Sequence, residues 1–598
     1  MTFKLSDRSI FRESTLKFAL VSGLLLLLVL IPYSESLNNR STNWDDYYFV
    51  SDYEPIKNFD VQSIFSETTL GNYYPITIVT FAVDSKICDT NPTCYHVTSL
   101  LFHYLCVMSL FILIFTVGSR NIVGAFMGAS LFAVHPFNVE AVSWIASRNQ
   151  VVSTFFLLVS LTLYWTRTTG KRDIVALLLS AAFFGLALLS RPSAVAGAAL
   201  FPLIDILQRR FSMRSIFEKA LFALPSIAIL IVTLNSRSRV EEVPIPEIFE
   251  MNLIGRLLTA FRSLVFYVSR ALYPRDLRAY YDYLSFRIDG IDIFICLGLI
   301  AVLMIAFRSS ETKIRRVVAF GILLFPIMLL TTIKIVPFGE YSIVHDRYAY
   351  TSVAGFCIFI GFVATIKNLS KYLKSAFYAA AGLVVAIFSY KTYFQTKTWD
   401  GSENLWRNVI AFEESAVPLN NLGIIFLKQG DLLKARPLFE RAIAVRPRFS
   451  LAYFNLGEIM AEQGDLKSAL DYYQTAVHLR PTYHEAYNNL GNIYSKDPSR
   501  LEIAKNNFHK SIENGADYPE PFYNIAAILA MQGKYDDALG AALKVTWKYP
   551  TFMRSYILVG DMHLKHGDRA RARENYEKVV LSGTELSHLA QTRIDALK

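Results

Sequence analysis

Leu16–Pro32 reads LKFALVSGLLLLLVLIP, and shortly beyond it stands Asn43-Trp44-Asp45-Asp46-Tyr47-Tyr48. An apolar run of that length is either a membrane span or the core of a secretory leader, and its flanks decide between them. Lys4, Arg8, Arg12 and Lys17 supply a basic start, but no clean small-residue cleavage site follows. The run therefore reads as a retained first helix with a cytoplasmic N-terminus, which leaves the paired carboxylates just outside the membrane.

The rest of the first two thirds repeats this texture. Of 598 residues 53% are hydrophobic and 18% charged, and the apolar ones gather into runs near 98–118, 121–136, 149–166, 174–190, 192–208, 216–234, 291–307, 315–333, 349–366 and 375–393. With the first helix these make about eleven spans. The segment 255–274 carries Arg256, Arg262 and Arg270, and arginine near a span's centre costs roughly 2.5–3.5 kcal/mol. It reads instead as an amphipathic helix lying in the interface.

The formal charge of +10 matches nucleic-acid binding or membrane topology, and its placement separates them. Arg167, Lys171 and Arg172, then Arg209, Arg210 and Arg214, then Lys367, Lys371 and Lys374 fall in short loops on one side. That is the positive-inside arrangement, so nucleic acid is set aside. The opposite face then receives the long loop 34–97, the loop 136–148, the 190–192 junction and the loop 334–348. Cys88 and Cys94 flank a Thr-Asn-Pro turn in the first of these. In an oxidising compartment they would close a small disulfide; otherwise they remain thiols.

Beyond Trp399 the period changes. Leu422, Leu456 and Leu490 recur every 34 residues, as do Gly423, Gly457 and Gly491, with Ala435 and Ala469, and Pro447 and Pro481, in step. This is the tetratricopeptide spacing of paired antiparallel helices. About five repeats follow a leading helix at 403–418, and the third is lengthened at Asp497-Pro498-Ser499. The expected fold is all-α: a polytopic membrane body, 1–397, then an α-solenoid, 398–598, outside the membrane. A solenoid groove suits a protein or peptide partner.

Polar residues that a membrane body does not need collect on the external side: Asp45 and Asp46, then His135, Glu140 and Arg148, then Arg191, then Glu340, His345 and Arg347. Either aspartate alone would serve as a helix cap. Together with arginines they suit a site that deprotonates a hydroxyl and holds a phosphate. No zinc-ligand spacing, Ser-His-Asp order or Walker loop is present, so no metal site is assigned; carboxylates beside a phosphate leave room for a divalent metal.

Asn43-Trp44-Asp45-Asp46, Asn72-Tyr73-Tyr74-Pro75, Asn91-Pro92-Thr93-Cys94-Tyr95-His96, His135-Pro136-Phe137-Asn138-Val139-Glu140, Ser147-Arg148-Asn149-Gln150, Ser190-Arg191-Pro192 and Asp346-Arg347-Tyr348-Ala349-Tyr350 give the chain a second reading. In their order it resembles the transmembrane and tetratricopeptide repeat-containing O-mannosyltransferase family, in a bacterial form. Relatives often carry lysine at Arg191 and arginine at Tyr74. The resemblance implies a GT-C class glycosyltransferase in a bacterial cytoplasmic membrane. Such an enzyme takes sugar from a polyprenyl-phosphate carrier and passes it to a hydroxyl, serine or threonine of a protein, on the extracytoplasmic face. It implies Asp45 and Asp46 as the catalytic carboxylates and Arg347, with Arg148, Arg191 and His345, at the donor phosphate. His135 and Glu140 would touch sugar or brace the loop. Two alternatives share the sequence features: transfer to an envelope glycan or lipid, and a non-catalytic membrane scaffold presenting the repeats.

Overall fold

The computed structural model describes residues 6–118, 120–169, 174–237, 252–282, 286–309, 312–333, 335, 342–363 and 370–597. Lys4, Lys171, Arg172, Glu340 and Lys367 lie outside them. The named elements among the described residues are all helices, with two isolated β-bridges, Thr69 to Asn72 and Asp282 to Ser342. The chain divides into two compact units, Met1–Glu413 and Glu414–Lys598.

In the first unit, three described helices are long and apolar enough to cross a membrane: Pro92–Val117, Met213–Ser236 and Lys371–Lys397. A fourth results if Ile122–Ala133 and Pro136–Ser143, bent by 52°, are one broken span. These are fewer than the eleven spans expected from the apolar runs; Arg148–Thr169, Gly290–Ser309 and Thr312–Leu329 are further helices over those runs, and one pair of runs is divided by punctuation. Arg191-Pro192 ends Ile174–Ser190 and starts the next segment as a 3-10 stretch, Pro192–Ala199, before Leu200–Leu207. A proline removes a donor and forces the preceding residue out of the helical region.

Many outward side chains of these helices are apolar. Leu221, Leu224, Ile227, Leu230 and Leu234 are exposed along one helix, and Leu373, Leu383, Ile387 and Phe394 along another. Leu253–Leu272 is inside-out in the same sense: Leu253, Ile254, Leu257, Leu258 and Phe261 face outward while Arg270 is buried against Asp292 at 2.6 Å. That arginine is paired, which answers the cost of placing it beside an apolar phase. Inside, helices meet at small residues: a Cβ on Gly321 would stand 2.6 Å from the Gly355 carbonyl oxygen, so Thr312–Leu329 and Tyr350–Val363 approach backbone to backbone.

The second unit is five helix pairs, from Ala416–Lys428 with Leu432–Val445 to Met553–Lys565 with Arg569–Leu581, closed by Ser587–Asp595. Its period has a steric cause. A Cβ on Gly423 would stand 2.6 Å from the Phe439 ring, on Gly457 2.7 Å from Tyr473, and on Gly491 2.6 Å from Phe508. In these three pairs, and in the last with Gly560 on Tyr576, the first helix thus lays a glycine on the aromatic ring of its second helix; the fourth pair has Ala526 at that position. The lengthened third repeat absorbs its insertion as a 3-10 turn, Pro498–Arg500, capped by Asp497.

The expected leading helix at 403–418 is two elements. Gly401–Phe412 belongs to the first unit, burying Leu405, Trp406 and Val409, and Ala416 opens the first repeat. Trp406 has a hydrogen-bond partner in the first unit, Asn43, at 2.8 Å. The compact unit therefore ends at Glu413 rather than at 397.

A candidate active site built on Asp45 and Arg347

The two adjacent aspartates do different work. Asp46 is buried, and its carboxylate accepts from Thr42 N at 2.8 Å, Thr42 Oγ1 at 2.9 Å and Ala146 N at 2.9 Å. It pins its own loop to the Ile145–Ser147 turn, and burial pushes its carboxyl up to about 7 against those hydrogen bonds. Asp45 faces the other way. Among the described residues its carboxylate makes no hydrogen bond, and its backbone sits at φ 69°, a left-handed conformation unusual for a residue with a side chain. Such a turn costs on the order of 1 kcal/mol or more, and aspartate bears it better than most. A single π-helical turn, Tyr48–Asp52, follows.

Asp45 is open to solvent, yet protein crowds it enough for lost hydration to raise its carboxyl while the Arg347 charge draws it back down. The Asp45 charge also adds to the burial that raises the nearby Tyr74 hydroxyl.

Arg347 is held from three directions. Its Nη1 donates to Glu140 Oε1 at 2.5 Å and its backbone N–H to Glu140 Oε2 at 2.8 Å. Its guanidinium lies 4.9 Å from the Trp144 ring, 5.9 Å from Trp44 and 4.9 Å from Tyr348. Burial raises the Glu140 carboxyl and Arg347 opposes that rise. His345 stands close, Nδ1 3.9 Å from Glu140 Oε1. The neighbouring Asp346 accepts from Tyr281 Oη at 2.8 Å; burial, with the Glu140 charge, holds its carboxyl well above the ordinary range.

Arg191 rests against the same phenol as Arg347, 5.4 Å from the Tyr348 ring. Its Nε donates to Ser193 Oγ at 2.6 Å and its Nη1 to Asn149 Oδ1 at 2.9 Å. Two guanidiniums on one ring concentrate positive charge there, and both draw on the Glu140 carboxyl.

The structure places Arg148 away from the expected phosphate role, and gives His135 the bracing one. Arg148 is fully buried, paired to Asp84 Oδ2 at 2.6 Å, donating to Tyr95 O at 2.7 Å and lying 4.4 Å from the Phe81 ring. A buried guanidinium so committed stitches helices together and presents no donor to a phosphate. His135 is likewise buried; Nε2 donates to Ala271 O at 2.9 Å and Nδ1 accepts from Phe137 N at 3.2 Å. It braces a turn, and burial lowers its imidazole against the opposing hydrogen bond to Ala271 O. Cys88 and Cys94 are joined as a disulfide at the turn between Pro75–Cys88 and Pro92–Val117. Among the described residues, no group of three or more His, Cys, Asp or Glu gathers as metal ligands would.

Four tryptophans that the motifs did not single out as a group form one stack. Trp406 lies 5.0 Å from Trp44, Trp44 5.2 Å from Trp144, and Trp144 5.7 Å from Trp399. The chain has six tryptophans, and this concentration at the loop was the available signal.

A tetratricopeptide-repeat family model matches residues 420–484. A protein O-mannosyl-transferase of Caenorhabditis elegans is 24% identical over 416 residues, covering 66% of this chain and 56% of that protein. Human protein O-mannosyl-transferase TMTC3 is 21% identical over 423 residues, 64% of this chain and 45% of that protein. Mouse TMTC2, with the same description, is 34% identical over 97 residues, 16% of this chain. The chain spans about half the length of the first two relatives.

Proposed function

We propose that this chain, which resembles transmembrane and tetratricopeptide-repeat proteins named protein O-mannosyl-transferases over about two thirds of its length, is a membrane glycosyltransferase. It takes a sugar from a polyprenyl-phosphate carrier and passes it to a serine or threonine hydroxyl of a protein on the extracytoplasmic face. One observation carries the reading: a carboxylate free of hydrogen bonds among the described residues, Asp45, lies within electrostatic reach of Arg347.

In this reading Asp45 is the general base. It removes the acceptor proton as the hydroxyl oxygen attacks the anomeric carbon, and the bond from that carbon to the phosphate oxygen breaks. The departing phosphate gains charge, which Arg347 and Arg191 meet from the Tyr348 ring; preorganised cations are worth most where charge develops. Glu140 and His345 fix Arg347. Asp46, Arg148 and His135 hold the frame. Burial raises the Asp45 carboxyl, which strengthens it as a base. The Cys88–Cys94 bridge supports placing loop 34–97 in an oxidising compartment, and the repeats suit a polypeptide acceptor or partner.

The test is glycoproteomics of envelope proteins from cells with the wild-type chain, a deletion, Asp45→Asn or Asp46→Asn. A sugar mass lost from defined peptides in the deletion and in Asp45→Asn, at equal membrane expression, supports the reading and identifies sugar and acceptor. Unchanged peptides in every strain would remove protein glycosylation and favour a glycan acceptor or a scaffold.

A further inference from the structure

We infer that Trp406 is a positioning residue for Asp45, acting through Asn43. The inference rests on the reading of Asp45 as the base.

The loop that carries Asp45 has little of its own to hold it. Between Ser34–Asn38 and the π-turn at Tyr48 it contains no complete helical segment of five residues before the aspartates. Its shape comes from a distant stretch laid along it. Tyr393 Oη donates to Glu35 Oε1 at 2.6 Å, Asn39 Nδ2 to Thr396 O at 2.9 Å, and Arg40 Nε to Asp400 Oδ1 at 3.1 Å. Asn43 N then donates to Ser402 Oγ at 2.7 Å, and Trp406 Nε1 to Asn43 Oδ1 at 2.8 Å. The partners climb in step on both strands of chain, 35, 39, 40, 43 against 393, 396, 400, 402 and 406.

The last rung is two residues from Asp45. Trp406 also covers one side of Trp44 at 5.0 Å while Trp144 covers another at 5.2 Å, and Trp144 Nε1 donates to Trp44 O at 2.8 Å. With two tryptophan neighbours and the Arg347 guanidinium around it, Trp44 is a wedge and not a platform for sugar. The residue before Asp45 is thus clamped by ring and carbonyl, and the residue before that by its amide and side chain. Asp46 is fixed on the far side by Thr42 and Ala146. Asp45 is the one member of Asn43–Asp46 left free, and its left-handed backbone is maintained by its anchored neighbours.

Helix Gly401–Phe412 is placed by the same contacts. Gly401 has φ 76°, and a Cβ there would stand 3.3 Å from Arg40 Nη2, so the turn that aims Trp406 at Asn43 is built for close approach.

The experiment uses the full chain in cell membranes, with Trp406→Phe, Ser402→Ala and Trp399→Phe beside Asp45→Asn. Trp406→Phe keeps a ring but removes the N–H; Ser402→Ala removes the acceptor of Asn43 N without touching the stack. Trp399→Phe alters the opposite end of the stack and touches neither. Two readouts are taken: sugar occupancy of the envelope peptides, and carbodiimide footprinting of Asp45 relative to the exposed Asp52. Trp406→Phe and Ser402→Ala should lower occupancy about 10- to 100-fold, as small misplacements of a reacting group do. They should change Asp45 modification about twofold or more as the loop opens locally. Trp399→Phe should change both far less. Wild-type occupancy in Trp406→Phe, or an equal loss in Trp399→Phe, overturns the inference. If Asp45→Asn itself transfers normally, the catalytic reading fails, and the footprint alone decides whether Trp406 holds Asp45: an unchanged footprint overturns that too.

Discussion

The backbone N–H of Ala146 donates to Asp46 Oδ1 at 2.9 Å across 100 residues of chain. Through that bond the loop after the first helix is tied to the turn that carries Trp144, the ring on which Arg347 rests. The acidic and basic halves of the candidate site are therefore registered by a carboxylate that is itself consumed in the tie, while the neighbouring Asp45 carboxylate makes no hydrogen bond among the described residues.

That division predicts opposite phenotypes for the two aspartates. Asp45→Asn should leave thermal stability unchanged and lower transfer by about 100- to 10,000-fold, the usual contribution of a general base. Asp46→Ala should lower stability, because Thr42 N and Ala146 N lose their acceptor in a buried setting; each such group costs about 1–3 kcal/mol. A melting curve of the purified full chain in detergent, run beside the glycopeptide assay, separates them. Equal stability loss in both variants would contradict the division.

The pH dependence follows from the same geometry. Asp45 acts when ionised, and burial raises its carboxyl, so activity should fall with acid at a pH above the ordinary carboxylate range. Arg347 draws that carboxyl down. Replacing it with glutamine removes the opposing charge, so the acid limb of kcat/KM in Arg347→Gln should move to higher pH as well as lower in height. For stability the sign runs through Asp46, whose folded value near 7 lies above its unfolded one. Its contribution is present below about pH 4 and is lost as pH rises through 7. Asp46→Asn should flatten that slope in a melting series from pH 4 to pH 8.

The repeats were legible in sequence because their period is a print of packing: glycine meets ring in four of the five pairs, and the one lengthened repeat takes its insertion in a turn outside the packed helices. The Asp-Asp loop was legible as a locus but not as two roles, because hydrogen-bond partners such as Ala146 are named by folding and not by neighbours in sequence. Arg148 misled for a related reason. A basic residue beside an external loop looks like a phosphate ligand until Asp84, from a separate helix, is seen 2.6 Å away. Apolar composition also runs through the Arg191-Pro192 junction where one helix ends and the next begins, so a run of apolar residues is not by itself one helix. Trp406 was invisible as a partner of Asn43 because 363 residues separate them.

The Cys88–Cys94 bridge closes a short loop, with a sequence separation of 6. Loop-closure entropy for so small a ring is about 2 kcal/mol. Cys88→Ser with Cys94→Ser should lower the melting temperature of the full chain without abolishing membrane insertion. Thiol labelling under non-reducing denaturation should tag Cys106, Cys296 and Cys357, which are free, and neither Cys88 nor Cys94 until reductant is added. Labelling of Cys94 before reduction would contradict the bridge.

Glycine in the repeats is required for two separable reasons, and substitution tells them apart. At Gly457 a Cβ would stand 2.7 Å from the Tyr473 ring, 2.8 Å from its next carbon, with the first helix packed flat on the second. Gly457→Ala must push the pair apart, an overpacking cost of typically 1–3 kcal/mol. At Gly464 nothing stands within 4 Å, but φ is 83°. Gly464→Ala meets no neighbour and pays only for a left-handed backbone, roughly 1 kcal/mol. Adding Tyr473→Leu to Gly457→Ala removes the ring that the methyl strikes and should recover part of the loss. The same second change should do nothing for Gly464→Ala. Melting of the full chain for the four variants reads this directly, and equal non-additivity at both glycines would reject the packing explanation of the 34-residue period.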